Sequence, residues 1–204
     1  QEGETLTLTY TLTLSDNSGA GVSEATATTT TDIAVTITGT NDSPVISYGV
    51  DGDSGSAVET NATITDSGAL NVVDIDLSDT VDVSVQNVTI TGGDFTSETV
   101  PDALTANSSQ VLKGMLSFTP AAGTELAANP SDGSSFDWSF QSGAAGDSAF
   151  NFLAQGETLQ LTYTVLVTDS SEAASGESTT DTSTVVVTIT GTNDTPDITV
   201  ADET

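Results

Sequence analysis

The stretch Thr5-Leu6-Thr7-Leu8-Thr9-Tyr10-Thr11-Leu12-Thr13-Leu14 alternates threonine with a large apolar side chain. Successive side chains of a β-strand point to opposite faces, so Leu and Tyr share one face and Thr takes the other. Threonine is β-branched and favours the extended backbone. The stretch therefore predicts a half-buried antiparallel strand, and residues 31–38 predict a second strand that returns beside it.

The same pair of segments occurs twice in the chain. Residues 3–11 recur almost unchanged at 156–164, and residues 35–42 recur at 187–194, which places the second copies 153 and 152 residues downstream. This period is too long for a solenoid repeat, so the repeating unit is a whole domain. We predict the last strands of one repeat in residues 1–42, one complete repeat in 43–194, and a linker or the start of the next repeat in 195–204.

Strand patterns dominate the rest of the chain as well. The second hairpin is predicted at 158–168 and 182–190, and shorter strand candidates lie at 62–65, 69–73, 80–85, 88–91, 112–118 and 136–140. No segment shows a sustained helical period. The sequence therefore predicts an all-β chain that forms an antiparallel β-sandwich, Ig-like or cadherin-like, in a tandem array.

The charge of the chain limits what it can bind. It has 30 Asp and Glu against one basic residue, Lys113, and its formal net charge is -29. Nucleic-acid phosphates and anionic membrane surfaces would be repelled, and no apolar run is long enough for a membrane helix. We therefore expect neither a nucleic-acid partner nor membrane insertion.

The absence of His and Cys narrows the chemistry further. Catalysis by Ser-His-Asp or Cys-His groups is excluded, and zinc or copper sites are disfavoured. We expect no enzymatic activity.

Acidic residues form several short clusters that suit a hard cation. Residues two apart on a strand point the same way, so Asp74 and Asp76 can converge on one ion. Calcium takes six to eight oxygen ligands, and clustered carboxylates without a cation cost stability. The candidate ligands are Asn41, Asp42, Asp51, Asp53, Glu59, Asp74, Asp76 and Asp79. The alternative is that these acids are turn residues and solvated loop charges, which is how we interpret Asp16 and Asp169 in the two hairpins.

Three segments carry a family resemblance. Thr36–Ile46, with the sequence Thr-Ile-Thr-Gly-Thr-Asn-Asp-Ser-Pro-Val-Ile, resembles the junction of VCBS repeats in giant secreted bacterial adhesins, many of the RTX type. Ser67–Asp76 and Gly156–Leu159 resemble two further segments of that family, whereas residues 87–147 depart from its pattern. The resemblance implies a secreted extender repeat of a bacterial surface adhesin, active in cell adhesion and biofilm formation, with neighbouring repeats as its partners.

The linker also resembles a cadherin joint. Asn-Asp-x-Pro followed by Asp-x-Asp is similar to the arrangement in which cadherins share calcium between domains and stiffen the connection. By that resemblance Asn41, Asp42, Asp74 and Asp76 would bind calcium between repeats. Asn193 and Asp194 would begin the next site.

Three alternatives remain open at the level of sequence. Paired carboxylates can hydrolyse glycosides, and Asp137 beside Trp138 is the nearest candidate, although alternation places Phe136, Trp138 and Phe140 on one core-facing side. A carbohydrate-binding module would use Trp138 and bound calcium to hold a glycan. A self-assembling extracellular fibre or surface layer would pair the first hairpin with strands of other copies.

Overall fold

The computed structural model describes residues 3–16, 27–49, 52–60, 62–94, 100, 104, 108–128, 132–142, 149–171 and 178–195. Its strands are β1 (Thr5–Asp16), β2 (Ala27–Thr38), β3 (Val45–Tyr48), β4 (Ser54–Val58), β5 (Thr65–Val73), β6 (Thr80–Asp94), β7 (Leu116–Thr119), β8 (Leu126–Ala127), β9 (Ser134–Gln141), β10 (Thr158–Asp169) and β11 (Thr180–Thr190), and a short helix, α1, spans Ser108–Lys113. The predicted all-β class is confirmed.

The described residues from 43 to 195 form a β-sandwich of the Ig-like type. One sheet has the strand order β4-β11-β10-β6-β8, and the other has the order β3-β5-β9-β7. The pairs are antiparallel except for β4 against β11, which is parallel. The N-terminal pole of the sandwich is the end at which residues 39–44 lead into β3. The C-terminal pole is the opposite end, where residues 191–195 follow β11.

The alternating pattern decides which side chains fill the core. In β10 every second residue is buried, from Leu159 through Tyr163 to Val167, while the residues between them are only partly buried on the outer face. In β9 Phe136, Trp138 and Phe140 are buried in the same way. The predicted core role of this aromatic triplet is confirmed.

The first hairpin stands outside this core. β1 and β2 pair with each other from Thr5 opposite Thr38 to Asp16 opposite Ala27, and they form a separate two-stranded sheet. All of the β1 side chains are exposed. The chain therefore contains two hairpins of nearly the same sequence. The hairpin of β10 and β11 fills the sandwich, whereas the hairpin of β1 and β2 packs on no core among the described residues.

Several predicted boundaries differ from the structure. Residues 62–64 precede β5 rather than forming a strand, and residues 112–113 end α1, so the predicted strand at 112–118 was wrong in its first part. Helix α1 has six residues, too few for a helical period to show in the sequence. The candidates at 80–85 and 88–91 are one long strand, β6. Within the described residues no helix is long and apolar enough to cross a membrane.

Candidate metal centre

The loop between β5 and β6 turns its acids inward at the N-terminal pole. It continues the strand alternation, so Asp74 and Asp76 are 1% and 4% exposed, and Asp79 is 7% exposed. Ile75 and Leu77 point outward and are 62% and 71% exposed. Here the carboxylates are buried and the apolar side chains face solvent, which reverses the usual preference of these residue types.

The three acids converge closely. One carboxylate oxygen from each of Asp74, Asp76 and Asp79 lies within 4.8 Å of the other two. The loop holds its own shape through the amide of Asp76, which donates to Asp74 Oδ1 at 2.9 Å, and through the amide of Asp79, which donates to the Asp76 carbonyl at 2.9 Å. The predicted convergence of Asp74 and Asp76 is present, and Asp79 joins them.

Asp169, the last residue of β10, is a fourth buried carboxylate near this cluster. It is 4% exposed and acts electrostatically on Asp74. Its Oδ1 accepts the amide of Ser171 at 2.7 Å, and the Ser171 hydroxyl donates to Asp79 Oδ2 at 2.7 Å. Asp169 thus forms the predicted turn through the Ser171 amide, and its buried carboxylate also lies near the acids of the loop between β5 and β6. The alternation that buries Leu159 to Val167 also carries Asp169 inward, and that signal was present in the sequence.

Burial and repulsion raise the pKa of Asp74 above its ordinary value of 3.8. Desolvation is the largest cause, and the charges of Asp169, Asp79 and Asp76 add to it, while the hydrogen bond from the Asp76 amide acts in the opposite direction. Lys113 is the only basic residue, so four carboxylates cannot be neutralised by basic side chains.

Two carboxylate oxygens in this cluster are buried without a partner. Asp74 Oδ2 and Asp169 Oδ2 have no hydrogen-bond partner among the described residues. Buried polar atoms are normally hydrogen-bonded, and an orphaned anionic oxygen is especially costly. These orphaned oxygens, in a cluster whose charged ligands are all carboxylates, fit a divalent cation that prefers oxygen ligands. The acid cluster could hold a metal ion.

The linker that precedes β3 is fastened to the same cluster. The amide of Asp42 donates to Asp76 Oδ2 at 2.7 Å. Asn41 is 3% exposed, and both its Oδ1 and its Nδ2 are buried without a hydrogen-bond partner among the described residues. A cleft at this point is lined by Glu4, Thr38, Gly39, Thr40, Asp42, Ile75, Asp76 and Leu77. The end of the first hairpin, the linker and the loop between β5 and β6 therefore meet at this cleft.

Glu59 lies at the other end of the molecule. It follows β4 and is 0% exposed, and its Oε2 accepts the hydroxyl of Thr192 at 2.7 Å and the amide of Thr192 at 3.3 Å. Its Oε1 is buried without a hydrogen-bond partner in the described part of the chain. The 12 residues of β10 join the two poles, a span of about 40 Å, so Glu59 cannot contribute to the cluster of its own sandwich.

The remaining predicted ligands are placed as follows. Asp53 is exposed, and Asp51 lies outside the described residues. Asn193 is exposed and Asp194 is partly buried, both at the C-terminal pole beside Thr192. The structure thus brings together Asp74, Asp76, Asp79 and the linker, and it leaves Asp53, Glu59, Asn193 and Asp194 away from them.

Trp138 is unavailable for binding a sugar. It is 0% exposed, and its indole N–H donates to the Gly52 carbonyl at 2.7 Å. A Cβ on Gly68 would lie 2.7 Å from its ring, so the ring packs directly on the backbone of β5. The carbohydrate-binding alternative therefore loses the side chain on which it was based.

Comparison with known proteins gives similarity of architecture only. No protein-family model and no curated protein sequence matches the chain. Among solved structures, the chain is similar to the CooA pilin subunit of enterotoxigenic Escherichia coli, with 12% identity over 74% of this chain and 99% of that one and a TM-score of 0.40. It is similar to PapD-like domain 7 of human CEP192, with 10% identity, coverage of 76% and 89%, and a TM-score of 0.41. It is also similar to the N-terminal domain of PorA, with 12% identity, coverage of 72% and 96%, and a TM-score of 0.34.

Proposed function

We propose that the chain is a non-catalytic extender segment of a secreted bacterial surface adhesin, in which calcium stiffens the joint between successive β-sandwich repeats. The observation that carries the proposal is the buried cluster of Asp74, Asp76 and Asp79, with Asp169 buried near it, at the pole where the linker arrives. The VCBS-like sequence of residues 36–46 supports the adhesin setting.

Calcium is the cation that best fits this site. The buried carboxylates, together with the side-chain amide of Asn41, which precedes Asp42 in the linker, provide oxygen ligands of the type that calcium prefers, and the chain has no His or Cys for a transition metal. Magnesium demands a smaller and more regular octahedron and keeps most of its water, so it fits a largely dehydrated carboxylate cluster poorly.

The joint would be stiffened because the linker contributes to the ion site. With calcium bound, the repulsion among the acids would be removed, and Asp76, which accepts the Asp42 amide, would hold the linker at the ion site. Without calcium the acids repel one another and the linker is held only by local hydrogen bonds. A series of such joints would change from flexible to extended as calcium binds.

The equivalence of the two hairpins suggests which residue a preceding repeat would contribute to the joint. Thr40 occupies the same place after β2 that Thr192 occupies after β11, and Glu59 binds Thr192 through its carboxylate. A Glu59-type residue of a preceding repeat would therefore stand beside Thr40, in the cleft that already contains Asp42 and Asp76. We propose that each joint is completed in this way and that Asn193 and Asp194 begin the next one.

Thermal unfolding in calcium, magnesium and chelator tests the proposal. A ligand that binds only the folded state raises its stability by about 2.7 kcal/mol at 100 times its Kd. Calcium should therefore raise Tm strongly and magnesium weakly, and a calorimetric titration should give a defined stoichiometry that falls in Asp76→Asn. Equal curves in calcium and chelator would reject the calcium site.

Stiffening requires its own measurement. The chain has no cysteine, so spin labels can be attached at introduced cysteines, one at Thr13 in the hairpin and one at Ser117 in β7. The distance distribution should narrow when calcium is added to the wild-type background and stay broad in the Asp76→Asn background. A distribution that calcium leaves unchanged in both would reject the mechanical role while leaving calcium binding intact.

An assembling surface or fibre subunit is the second candidate function. The observation that favours it is the first hairpin, whose apolar side chains are exposed. Exposed strand edges pair readily with other chains. Electron micrographs that show only monodisperse particles at high concentration and in calcium would exclude a fibre.

A further inference from the structure

The first two strands of the sandwich belong to different sheets. β3 pairs with β5 in one sheet, and β4 pairs with β11 in the other. β3 begins at the N-terminal pole, where the linker arrives. β4 is parallel to β11, so it runs toward the C-terminal pole, where β11 ends. The chain therefore enters the sandwich through β3 and β4 at one pole and leaves it through β11 at the other.

The parallel pairing of β4 with β11 decides how tension acts on the sandwich. When the linkers at the two poles are pulled apart, β4 is drawn toward the N-terminal pole and β11 toward the C-terminal pole. Hydrogen bonds of a sheet run from strand to strand, so this load acts along the strands and stretches all the bonds of the pair together. The register from Ser54 opposite Val186 to Val58 opposite Thr190 therefore resists as a unit.

Glu59 and Thr192 continue this pair beyond the end of β11. The amide of Glu59 donates to the Thr190 carbonyl at 2.7 Å. The hydroxyl of Thr192 donates to Glu59 Oε2 at 2.7 Å, and the amide of Thr192 donates to the same oxygen at 3.3 Å. Glu59 is 0% exposed, so water does not compete for these bonds. The buried acid that lies away from the acid cluster thus fastens the end of β4 to the residues that leave the sandwich.

β3 is fastened to the beginning of β11 in a similar way. The amide of Ile46 donates to Oδ2 of Asp181, the second residue of β11, at 3.0 Å. Just before β3, the hydroxyl of Ser43 donates to the Ser178 carbonyl at 2.5 Å. β3 is therefore held at the N-terminal end of β11, and β4 is held at its C-terminal end.

The connection between β3 and β4 is held by the core. The buried indole N–H of Trp138 donates to the Gly52 carbonyl at 2.7 Å. A Cβ on Gly52 would collide with the Ala69 carbonyl oxygen, so the backbone at this point lies directly on β5. The segment from β3 to β4 is thus tied to the sandwich at three places along the line that joins the poles.

We infer that β3, β4 and β11 form a clamp that keeps the sandwich folded under tension applied between its two linkers. The direction of this tension rests on the proposed extender role, in which repeats are joined in series. The clamp does not depend on calcium, because Asp74, Asp76, Asp79 and Asp169 lie in none of its three strands. Resistance to force is governed by the rate of unfolding rather than by equilibrium stability, so it is a property that melting curves do not measure.

Single-molecule pulling of the 204-residue chain along two axes tests the inference. The chain has no cysteine, so pairs of introduced cysteines set the axis. Handles at Thr40→Cys and Asn193→Cys load the clamp along its strands. Handles at Thr60→Cys and Asn193→Cys pull at the C-terminal pole alone and peel β4 from β11 bond by bond. All three replaced side chains are exposed.

The sandwich should unfold at a much higher force along the first axis than along the second. Complete unfolding is recognised by the length of chain that it releases, about 500 Å along the first axis. The same chain and the same core are broken in both cases, so a difference in force reports the direction of the load. Equal forces along the two axes would overturn the inference.

Two variants test the side-chain ties along the first axis. Thr192→Val removes the hydroxyl that donates to Glu59 and keeps the size of the side chain, so the unfolding force should fall. Thr188→Val makes the same change on the outer face of β11 and should leave the force unchanged. Asp181→Ala should also lower the force, because it removes the acceptor of the Ile46 amide. Wild-type forces in both Thr192→Val and Asp181→Ala would remove these ties from the clamp.

Measurements in chelator and in calcium separate the clamp from the ion site. The difference between the two axes should persist in chelator, because hydrogen bonds produce it. A difference that appears only in calcium would overturn the inference and assign the resistance to the ion. Forces that differ between the axes but are identical in calcium and in chelator would support the clamp and count against the calcium site.

Discussion

Leu8 and Leu161 occupy equivalent positions in two hairpins of nearly the same sequence, yet Leu8 is 37% exposed and Leu161 is 0% exposed. The difference arises because Leu161 faces the second sheet of a sandwich, and β10 is joined to β6 along its length. Leu8 lies in a sheet of two strands. The comparison of Leu8 with Leu161 therefore shows that the local sequence sets the strand alternation, whereas the neighbouring strands and the opposite sheet set the burial of the side chain.

Leu161→Ala should destabilise the sandwich by about 2–5 kcal/mol, because it leaves a cavity in a closely packed core. Leu8→Ala, the matched change, should alter the free energy of unfolding of the sandwich by less than about 0.5 kcal/mol. Denaturant unfolding of dilute protein, followed by Trp138 fluorescence, measures both. Equal effects would mean that the first hairpin is part of the same cooperative core.

Asp74→Asn should have opposite effects with and without calcium. In chelator Asp74→Asn should raise Tm, because it removes one charge from a group of carboxylates that repel one another and that only local hydrogen bonds compensate. In calcium it should lower Tm, and calcium affinity should fall by about tenfold to a hundredfold or more, because second-shell losses alone reach that size. Calorimetric titration measures the calcium affinity, and thermal unfolding measures Tm in calcium and in chelator. A variant that binds calcium as tightly as the wild type would remove Asp74 from the site.

Asp169→Asn should weaken calcium binding, although its sequence position suggests only a turn. Asp16 is the equivalent residue of the first hairpin and is exposed, so Asp16→Asn is the matched control and should leave calcium binding unchanged. Comparing calcium titrations of the two variants tests the role of the buried oxygen of Asp169. Identical titrations of both variants and the wild type would show that Asp169 contributes nothing to the ion.

Acidification should stabilise the calcium-free chain through Asp74. Its pKa is raised in the folded state, so the folded chain binds more protons than the unfolded chain above the ordinary value of 3.8. The contribution of Asp74 to stability is therefore greatest below pH 3.8 and is lost as pH rises through the raised pKa.

Calcium should invert this trend, because the ion needs the deprotonated carboxylates. Melting curves taken at steps from pH 4 to pH 7 should show Tm falling with pH in chelator and rising with pH in calcium. Asp74→Asn should show a smaller slope in chelator. The same slope in both chains would place the titrating group elsewhere.

The acid cluster could be predicted from the sequence only in part. Asp74 and Asp76 could be predicted to converge because two residues of one strand share a face, and that relation is local. Asp169 lies 93 positions beyond Asp76 in the chain, and it joins the cluster only because β10 and β6 lie side by side, with Asp169 opposite Val81. Glu59 lies only six positions after Asp53 in the sequence, whereas the parallel pairing of β4 with β11 carries Glu59 to the C-terminal pole.

The sequence by itself determined the all-β class, the two equivalent hairpins and the acidic, oxygen-only chemistry, because period-2 alternation and residue type are properties of neighbouring positions. Only the tertiary structure decided which hairpin is buried and which is exposed, and which acids share a pole. Both depend on strand pairings between residues far apart in the chain. The same side chains are therefore a core in β10 and β11 and an open surface in β1 and β2.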